Sequence, residues 1–247
     1  MVTTPIFHLA PLPTSAAFTL TGPEGRHAAT VRRLRVGERL DVTDGLGDAL
    51  RCEIVAVRRD ELDCRVLDRV RTPRPAPRLV VVQALAKGDR GELAVEMLTE
   101  VGVDEIVPWA AARSVVRWDG ERGARSRARW AASAAEAAKQ ARRTRWPVVA
   151  PLASTAAVAD RLAAAGVALV LHEGAAQPLT SLTSRPPAPG EIVLVVGPEG
   201  GLTDEELAGF GKAGAAAVRL GPTVLRTSTA GVAAAAVLLA ATGRWDG

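Results

Sequence analysis

The chain has 247 residues, 48% of them hydrophobic and 23% charged, with a formal net charge of +4. That apolar share excludes intrinsic disorder as a general description, and the length allows burial of about three-quarters of the unfolded surface without a metal or disulfide staple. The longest apolar stretch, residues 230–241, is short of the ~20 residues a membrane helix needs. The start Met1-Val2-Thr3-Thr4-Pro5 has neither the basic opening nor the apolar run of a secretory signal, so a cytoplasmic protein with no membrane partner is expected.

Residues 1–73 read as short strands joined by turns. Arg39 to Thr43 runs into the turn signal Asp44-Gly45, Leu50 to Val57 alternates apolar and polar positions, and Leu62 to Val70 reads as a further strand. Cys52 and Cys64 fall in these strands. Two cysteines make no disulfide framework, and two reduced core thiols are favoured over a bridge between neighbouring strands. Residues 72–77, Thr-Pro-Arg-Pro-Ala-Pro, cannot continue a sheet and favour extended backbone, so a domain boundary is set at 73/74.

Beyond the boundary, strands alternate with helices. Leu79 to Leu85 is a nearly continuous apolar run, as a strand covered on both faces requires. A helix is expected over Gly91 to Gly102, a strand over Glu105 to Trp109, and a long helix over Arg117 to Arg143. Then follow helix Thr155 to Ala165, strand Val167 to Leu171, strand Ile192 to Val196, helix Asp204 to Ala213, strand Ala216 to Leu220 and helix Ser228 to Ala241. Such alternation implies an α/β domain with a parallel sheet and a ligand site at the carboxyl ends of its strands.

The basic charge is localised. Residues 113–146 hold 10 basic and 3 acidic groups, which more than accounts for the whole excess. Of the 31 basic residues all but Lys87, Lys139 and Lys212 are arginine; a composition bias explains arginine over lysine but not the clustering. Arg122, Arg125 and Arg129 fall at helical spacing, with Trp118, Trp130 and Trp146 interspersed, and contact with nucleic acid is favoured over an ordinary solvated face.

Two loops follow strands and open helices. In the first, residues 195–203, a buried strand runs into Gly197, Gly200 and Gly201, and Thr203 with Glu206 matches a capping box. It lacks the Lys-Ser/Thr of a P-loop, and the chain has no GxGxxG; alone it reads equally as a tight turn. The second loop, residues 219–230, places Arg226 among apolar and hydroxyl residues, either as a strut for loop carbonyls or as a holder of an anionic group.

The strings Val-Val-Gly-Pro-Glu-Gly-Gly-Leu-Thr-Asp-Glu-Glu (residues 195–206) and Leu-Gly-Pro-Thr-Val-Leu-Arg-Thr-Ser-Thr-Ala (220–230) resemble the signature loops of the 16S rRNA uridine-N3 methyltransferases of the SPOUT superfamily. The resemblance extends over nearly the whole chain, through His27, Val31, Arg33 and Gly37, then Lys87-Gly88-Asp89, Glu100-Val101-Gly102-Val103, Arg113-Ser114-Val115, Gln140, Arg143 and Pro147. It implies a PUA-like β-barrel RNA-binding domain over 1–73 and a trefoil-knotted α/β methyltransferase domain over 74–247. It also implies S-adenosylmethionine as cofactor, 16S rRNA within the 30S subunit as substrate, and a homodimer. Three loops are then expected to hold the cofactor: Leu171, His172 and Glu173; Val196, Gly197, Gly200 and Gly201; and Leu220, Gly221, Leu225 and Thr227. The catalytic candidates are Arg226, Ser228 and Glu199, and the RNA-binding candidates are Arg33, Arg113, Arg122, Arg125, Arg129 and Arg143.

Uracil N3 carries a proton and is a poor nucleophile until that proton leaves, so a base or stabilisation of the resulting anion is required. Arg226 suits the second role and cannot fill the first. Ser228 stands where many relatives carry Glu, and Pro5 where many carry Arg. His8 and His27 read as packing or RNA-contact residues, and no His, Cys or carboxylate spacing suggests a metal. Another SPOUT activity, such as ribose 2′-O-methylation, and a non-catalytic RNA-binding or ribosome-assembly factor are the competing readings.

Overall fold

The computed structural model describes residues 4–182 and 190–246. The chain forms two compact units, residues 1–74 with 138–146, and residues 75–137 with 147–247. No helix among the described residues is long and apolar enough to cross a membrane.

The first unit is a curled five-stranded sheet. Its strands are β1 (Ile6–His8), β2 (Ala17–Leu20), β3 (Arg39–Thr43), β4 (Asp48–Val57) and β5 (Leu62–Arg71), in the order β1-β3-β4-β5-β2. Only the β1–β3 pairing is parallel. Alternation along β3 and β4 sends Leu40, Val42, Leu50, Cys52 and Ile54 inward against Phe7, Leu20, Leu62 and Cys64. Register shifts at Arg51/Cys52 and Ile54/Ala56 bend the long β4–β5 pair, as bulges do. Both cysteines are buried free thiols, and burial above all raises their pKa, to about 12 for Cys52 and about 11 for Cys64.

Two features here had no local signal. Residues 22–31 are helical, as α1 (Gly22–Arg26) followed by one wider π turn (His27–Val31), where strands and turns were expected. Pro23 starts the helix, and a Cβ on Gly25 would collide with the carbonyl oxygen of Leu20. The second is residues 138–146, which pack into this unit rather than extending a basic face. The Thr43 hydroxyl donates to the Thr144 carbonyl at 2.9 Å, and Arg145 donates to the Thr72 carbonyl at 2.9 Å. The Trp146 ring lies 4.6 Å from that of His8.

The second unit is a six-stranded, all-parallel sheet. Its strands are β6 (Arg78–Ala84), β7 (Glu105–Trp109), β8 (Val148–Val149), β9 (Val167–Leu171), β10 (Glu191–Val196) and β11 (Ala216–Val218), in the order β11-β9-β10-β6-β7-β8. The helices are α2 (Arg90–Val101), α3 (Gly120–Gln140), α4 (Thr155–Ala164), α5 (Asp204–Lys212) and α6 (Thr227–Ala241). The apolar run of β6 divides by alternation. Leu79 and Val81 join a core with Val95, Leu98, Trp130 and Leu238, whereas Val80, Val82 and Ala84 join one with Val158, Leu162 and Phe210. Each fully buried Leu, Ile or Val in this double core contributes roughly 1.5–3 kcal/mol. The expected helix over residues 117–143 is shorter at both ends, and β8 was not anticipated because two residues carry no readable period.

Because every strand of this sheet runs the same way, the segments after β6, β9, β10 and β11 emerge at one end. The segments after β9 and β11 are bonded together: His172 N–H donates to the Val218 carbonyl at 3.0 Å, and Arg219 N–H to the Gln177 carbonyl at 3.0 Å. Helix α6 leaves that end and packs on α2. A Cβ at Gly231 would meet Leu98 at 3.3 Å and Val196 at 3.4 Å, so a larger residue would push the helix off the sheet.

Candidate active site

The loops at the carboxyl end of the parallel sheet enclose a cavity of about 570 Å³, within the usual range for a small-molecule site. Its wall carries Leu171, His172 and Glu173 from the end of β9, and Val196, Gly197, Glu199, Gly200 and Gly201 from the end of β10. Leu220, Gly221, Leu225, Arg226 and Thr227, between β11 and α6, complete it. Residues far apart in the chain thus meet at one place for one reason, the shared direction of their strands.

The loop over residues 197–203 is held by three tethers. Arg113 donates to the carbonyls of Gly200 and Leu202 at 3.1 and 3.0 Å. Glu199 accepts from the Lys87 backbone N–H and the Arg90 guanidinium, both at 3.1 Å. Buried Glu206 closes the capping box with Thr203 and accepts from the Ala112 N–H at 2.8 Å. The close packing of Arg113 explains a glycine: a Cβ on Gly200 would lie 3.1 Å from Arg113 Cβ.

A fourth tether joins this loop to α6 through the sheet. Gln83, fully buried on β6, donates to the Thr227 hydroxyl at 3.0 Å, which itself donates to the Gly197 carbonyl at 2.7 Å. Gln83, Glu206 and Arg90 were absent from the sequence-based site. The one readable sign was Gln83, a polar residue inside an otherwise apolar buried strand.

The site is rich in unclaimed donors. The backbone N–H groups of Leu220, Gly221, Leu225 and Arg226 have no acceptor among the described residues, and the N-terminus of α6 has no side-chain cap. Arg226 sits at that N-terminus, exposed, with no side-chain partner among the described residues. A helix N-terminus and a free guanidinium together favour an anionic or acceptor-rich group. His172 Nδ1 accepts from the Gly174 N–H at 3.1 Å, which leaves the proton of the neutral ring on Nε2.

Partial burial alone would push the Glu199 carboxyl up. The N–H groups of Glu199 itself and Lys87, together with Arg90, outweigh this and hold it below the ordinary value. Glu199 is therefore an ionised anchor for its loop, and it stands on the cavity wall. Ser228 is 4% exposed in the first turn of α6 and is off the cavity wall, because the helix turns it inward.

The arginines expected to bind RNA are dispersed. Arg113 is on the cavity wall as a strut. Arg122 and Arg129 line a second, smaller cavity, and Arg125 is exposed beside Glu121 at 3.3 Å. Arg33 and Arg143 belong to the first unit, where Arg33 is exposed with a positive φ of 54° and Arg143 donates to the Arg145 carbonyl at 3.1 Å.

Comparison with known proteins agrees with this geometry. Residues 72–239 match the family profile of an RNA methyltransferase domain, and residues 20–67 match that of an RNA methyltransferase PUA domain. The crystal structure of a ribosomal RNA small subunit methyltransferase E from Neisseria gonorrhoeae, bound to S-adenosyl methionine, superposes with a TM-score of 0.84 at 31% identity over 98% of both chains. A methyltransferase from Legionella pneumophila in complex with the same cofactor gives 0.83 at 27% identity, over 97% of this chain and 98% of that one. Fold and site together define an RNA methyltransferase with an α/β catalytic domain and a PUA domain. A ribosomal RNA small subunit methyltransferase E from Mycobacterium bovis is 46% identical over 246 residues, 98% of this chain and 93% of its own length. The chain belongs to that family.

Proposed function

We propose that the chain methylates small-subunit ribosomal RNA from S-adenosylmethionine, at N3 of a uracil, acting on the assembled 30S subunit as a cytoplasmic homodimer. The observation that carries this reading is the cavity itself, in which three loops at one end of the sheet meet around unclaimed backbone donors and a free Arg226. Family membership and the cofactor in the neighbouring structures support it.

The residues present fit the cofactor. Leu171, Val196, Leu220 and Leu225 offer apolar faces for a planar base, the N–H groups of the 220–226 segment offer donors, and Glu173 offers a carboxylate acceptor. A Cβ on Gly221 would have no heavy atom within 4 Å, so the backbone there stands clear for close approach. When bound, S-adenosylmethionine supplies a methyl group already activated on a sulfonium. The protein's tasks are then alignment and charge. The Gln83–Thr227–Gly197 chain fixes two loops relative to one another, and alignment of this kind supplies a large part of a transfer barrier. Arg226 stabilises the negative charge that develops on the uracil oxygens as the N3 proton passes to solvent water. Glu199 is tied up as an anchor and Ser228 is buried off the wall. The chemistry assigned here to the protein is therefore anion stabilisation rather than proton abstraction by either residue.

The test is methyl transfer from labelled S-adenosylmethionine to unmodified 30S subunits, read by nucleoside mass spectrometry. A 3-methyluridine product is expected. A 2′-O-methylated nucleoside would overturn the N3 assignment, and absence of both cofactor binding and transfer would overturn the enzyme reading.

A further inference from the structure

A second cavity, of about 210 Å³, lies between the N-termini of α2 and α3 in the second unit. Its wall carries three guanidinium groups, Arg117, Arg122 and Arg129, and a single carboxylate, Glu92. Arg129 lies 3.5 Å from Glu92, whereas Arg117 and Arg122 have no carboxylate partner among the described residues.

The placement runs against helix electrostatics. The first turn of a helix favours carboxylates and disfavours cations, because its N–H groups point outward unpaired. Arg122 nevertheless stands in the first turn of α3, and the cavity adds the positive end of α2 and two further arginines. A plain solvated face would relieve this repulsion by letting the side chains splay. Here the concavity has a built floor: Trp118 and Trp130 pack edge to face at 4.9 Å, and Gly91 admits the Trp130 ring, since a Cβ there would lie 2.8 Å from it. Ser126, 6% exposed, lines the same cavity and accepts from Arg129 at 3.2 Å, while its own hydroxyl proton has no acceptor among the described residues.

We propose that this cavity is a phosphate site which holds a backbone phosphate of the RNA close to the nucleotide presented to the larger cavity. The proposal rests on the RNA methyltransferase reading above. Planar guanidinium forks match the paired oxygens of a phosphodiester, and a helix N-terminus with a serine hydroxyl completes the donor set. The two cavities share a wall. Gly88, Gly91 and Glu92 of the segment after β6 line the smaller one, while Arg90, between them, lines the larger and bonds Glu199. A phosphate seated here would register the strand against the loop that Glu199 anchors.

The test uses the full-length chain with Arg117→Gln and Arg122→Gln together, and Arg122→Gln alone as the milder variant. Affinity for a small-subunit rRNA fragment is measured across a salt series. The double variant is expected to bind about tenfold more weakly near physiological salt, with a salt slope lower by about one, for the single phosphate that is no longer neutralised. Its affinity for S-adenosylmethionine should remain within about twofold of wild type. An unchanged RNA affinity and slope would overturn the proposal while leaving the methyltransferase reading standing. If inorganic phosphate raises the unfolding temperature of wild type but not of the double variant, with the RNA slope unchanged, the site takes free phosphate and the RNA assignment falls. A wild type that binds rRNA without methylating it would overturn the enzymatic reading alone, since the slope comparison needs only binding.

Discussion

The two ends of the parallel sheet use arginine and glutamate in opposite ways. At the amino end, Arg78 (β6), Glu105 (β7), Glu191 (β10) and Arg161 (α4) neutralise one another. Arg161 donates to Glu105 at 2.6 and 2.9 Å and to Glu191 at 3.1 Å, and Arg78 donates to both carboxylates. At the carboxyl end, Glu199 accepts from a loop N–H group and from Arg90, Glu206 is spent on loop N–H groups, and Arg226 has no side-chain partner among the described residues. Satisfied charge closes one end of the domain, and unsatisfied charge opens the other to a ligand. The contrast teaches that a guanidinium's function is read from whether the fold has already given it a counter-charge.

The largest effect expected from breaking this contrast is at Arg226. Arg226→Gln should slow methyl transfer by about 100-fold or more, the usual consequence of removing a donor aimed at developing charge. Its unfolding midpoint should be unchanged, and a loss of stability instead of rate would make Arg226 a strut. Next comes Glu206→Ala, which strands the N–H groups of Ala112 and Thr203. It should cost about 2–4 kcal/mol in denaturant titration, with Glu206→Gln recovering part, because one amide oxygen can still accept.

Glu105→Gln sharpens the other side of the comparison. It leaves Arg78 and Arg161 with Glu191 alone, and a loss of about 1–3 kcal/mol is expected for this partly exposed network. Affinity for S-adenosylmethionine should be untouched; a weakened affinity would mean that the two ends are not independent. The smallest effect is the pH dependence of Glu199. Its folded pKa lies below the ordinary 4.5, so the folded chain holds this proton less tightly than the unfolded chain does. The stability it adds is therefore full above that pH and disappears as acid carries the pH through the folded pKa. Wild type should be more stable than Glu199→Gln at pH 7, and the two should converge in acid. A gap that persists there would assign the residue's contribution to packing rather than charge.

Much of this was legible in the sequence, and unevenly so. The strand over Glu105–Trp109 and that over Val167–Leu171 have the expected bounds, since short, largely apolar stretches that follow Asp104 and Gly166 leave little freedom. The α/β class with a parallel sheet, the two signature loops and the methyltransferase family were also readable. Residues 22–31 were not, because the helix there is set by Gly25 fitting against Leu20 rather than by any period. The basic segment 113–146 was read as one feature. The fold divides it, seating Arg117, Arg122 and Arg129 around a cavity and turning residues 138–146 into part of the first unit's packing.

By itself, then, the sequence determined the alternation of strand and helix, because periodicity and turn chemistry are local properties of the chain, while the family and the loops that surround the cavity were legible through resemblance to known signature loops. Only the tertiary structure decided which charges are free. Glu199 and Arg113 stand out in the string, and in the fold groups far away in sequence hold them: Lys87 and Arg90 in one case, Gly200 and Leu202 in the other. Arg226 differs from them only in having no such claimant among the described residues, and a hydrogen-bond partner many residues away leaves no trace in local composition.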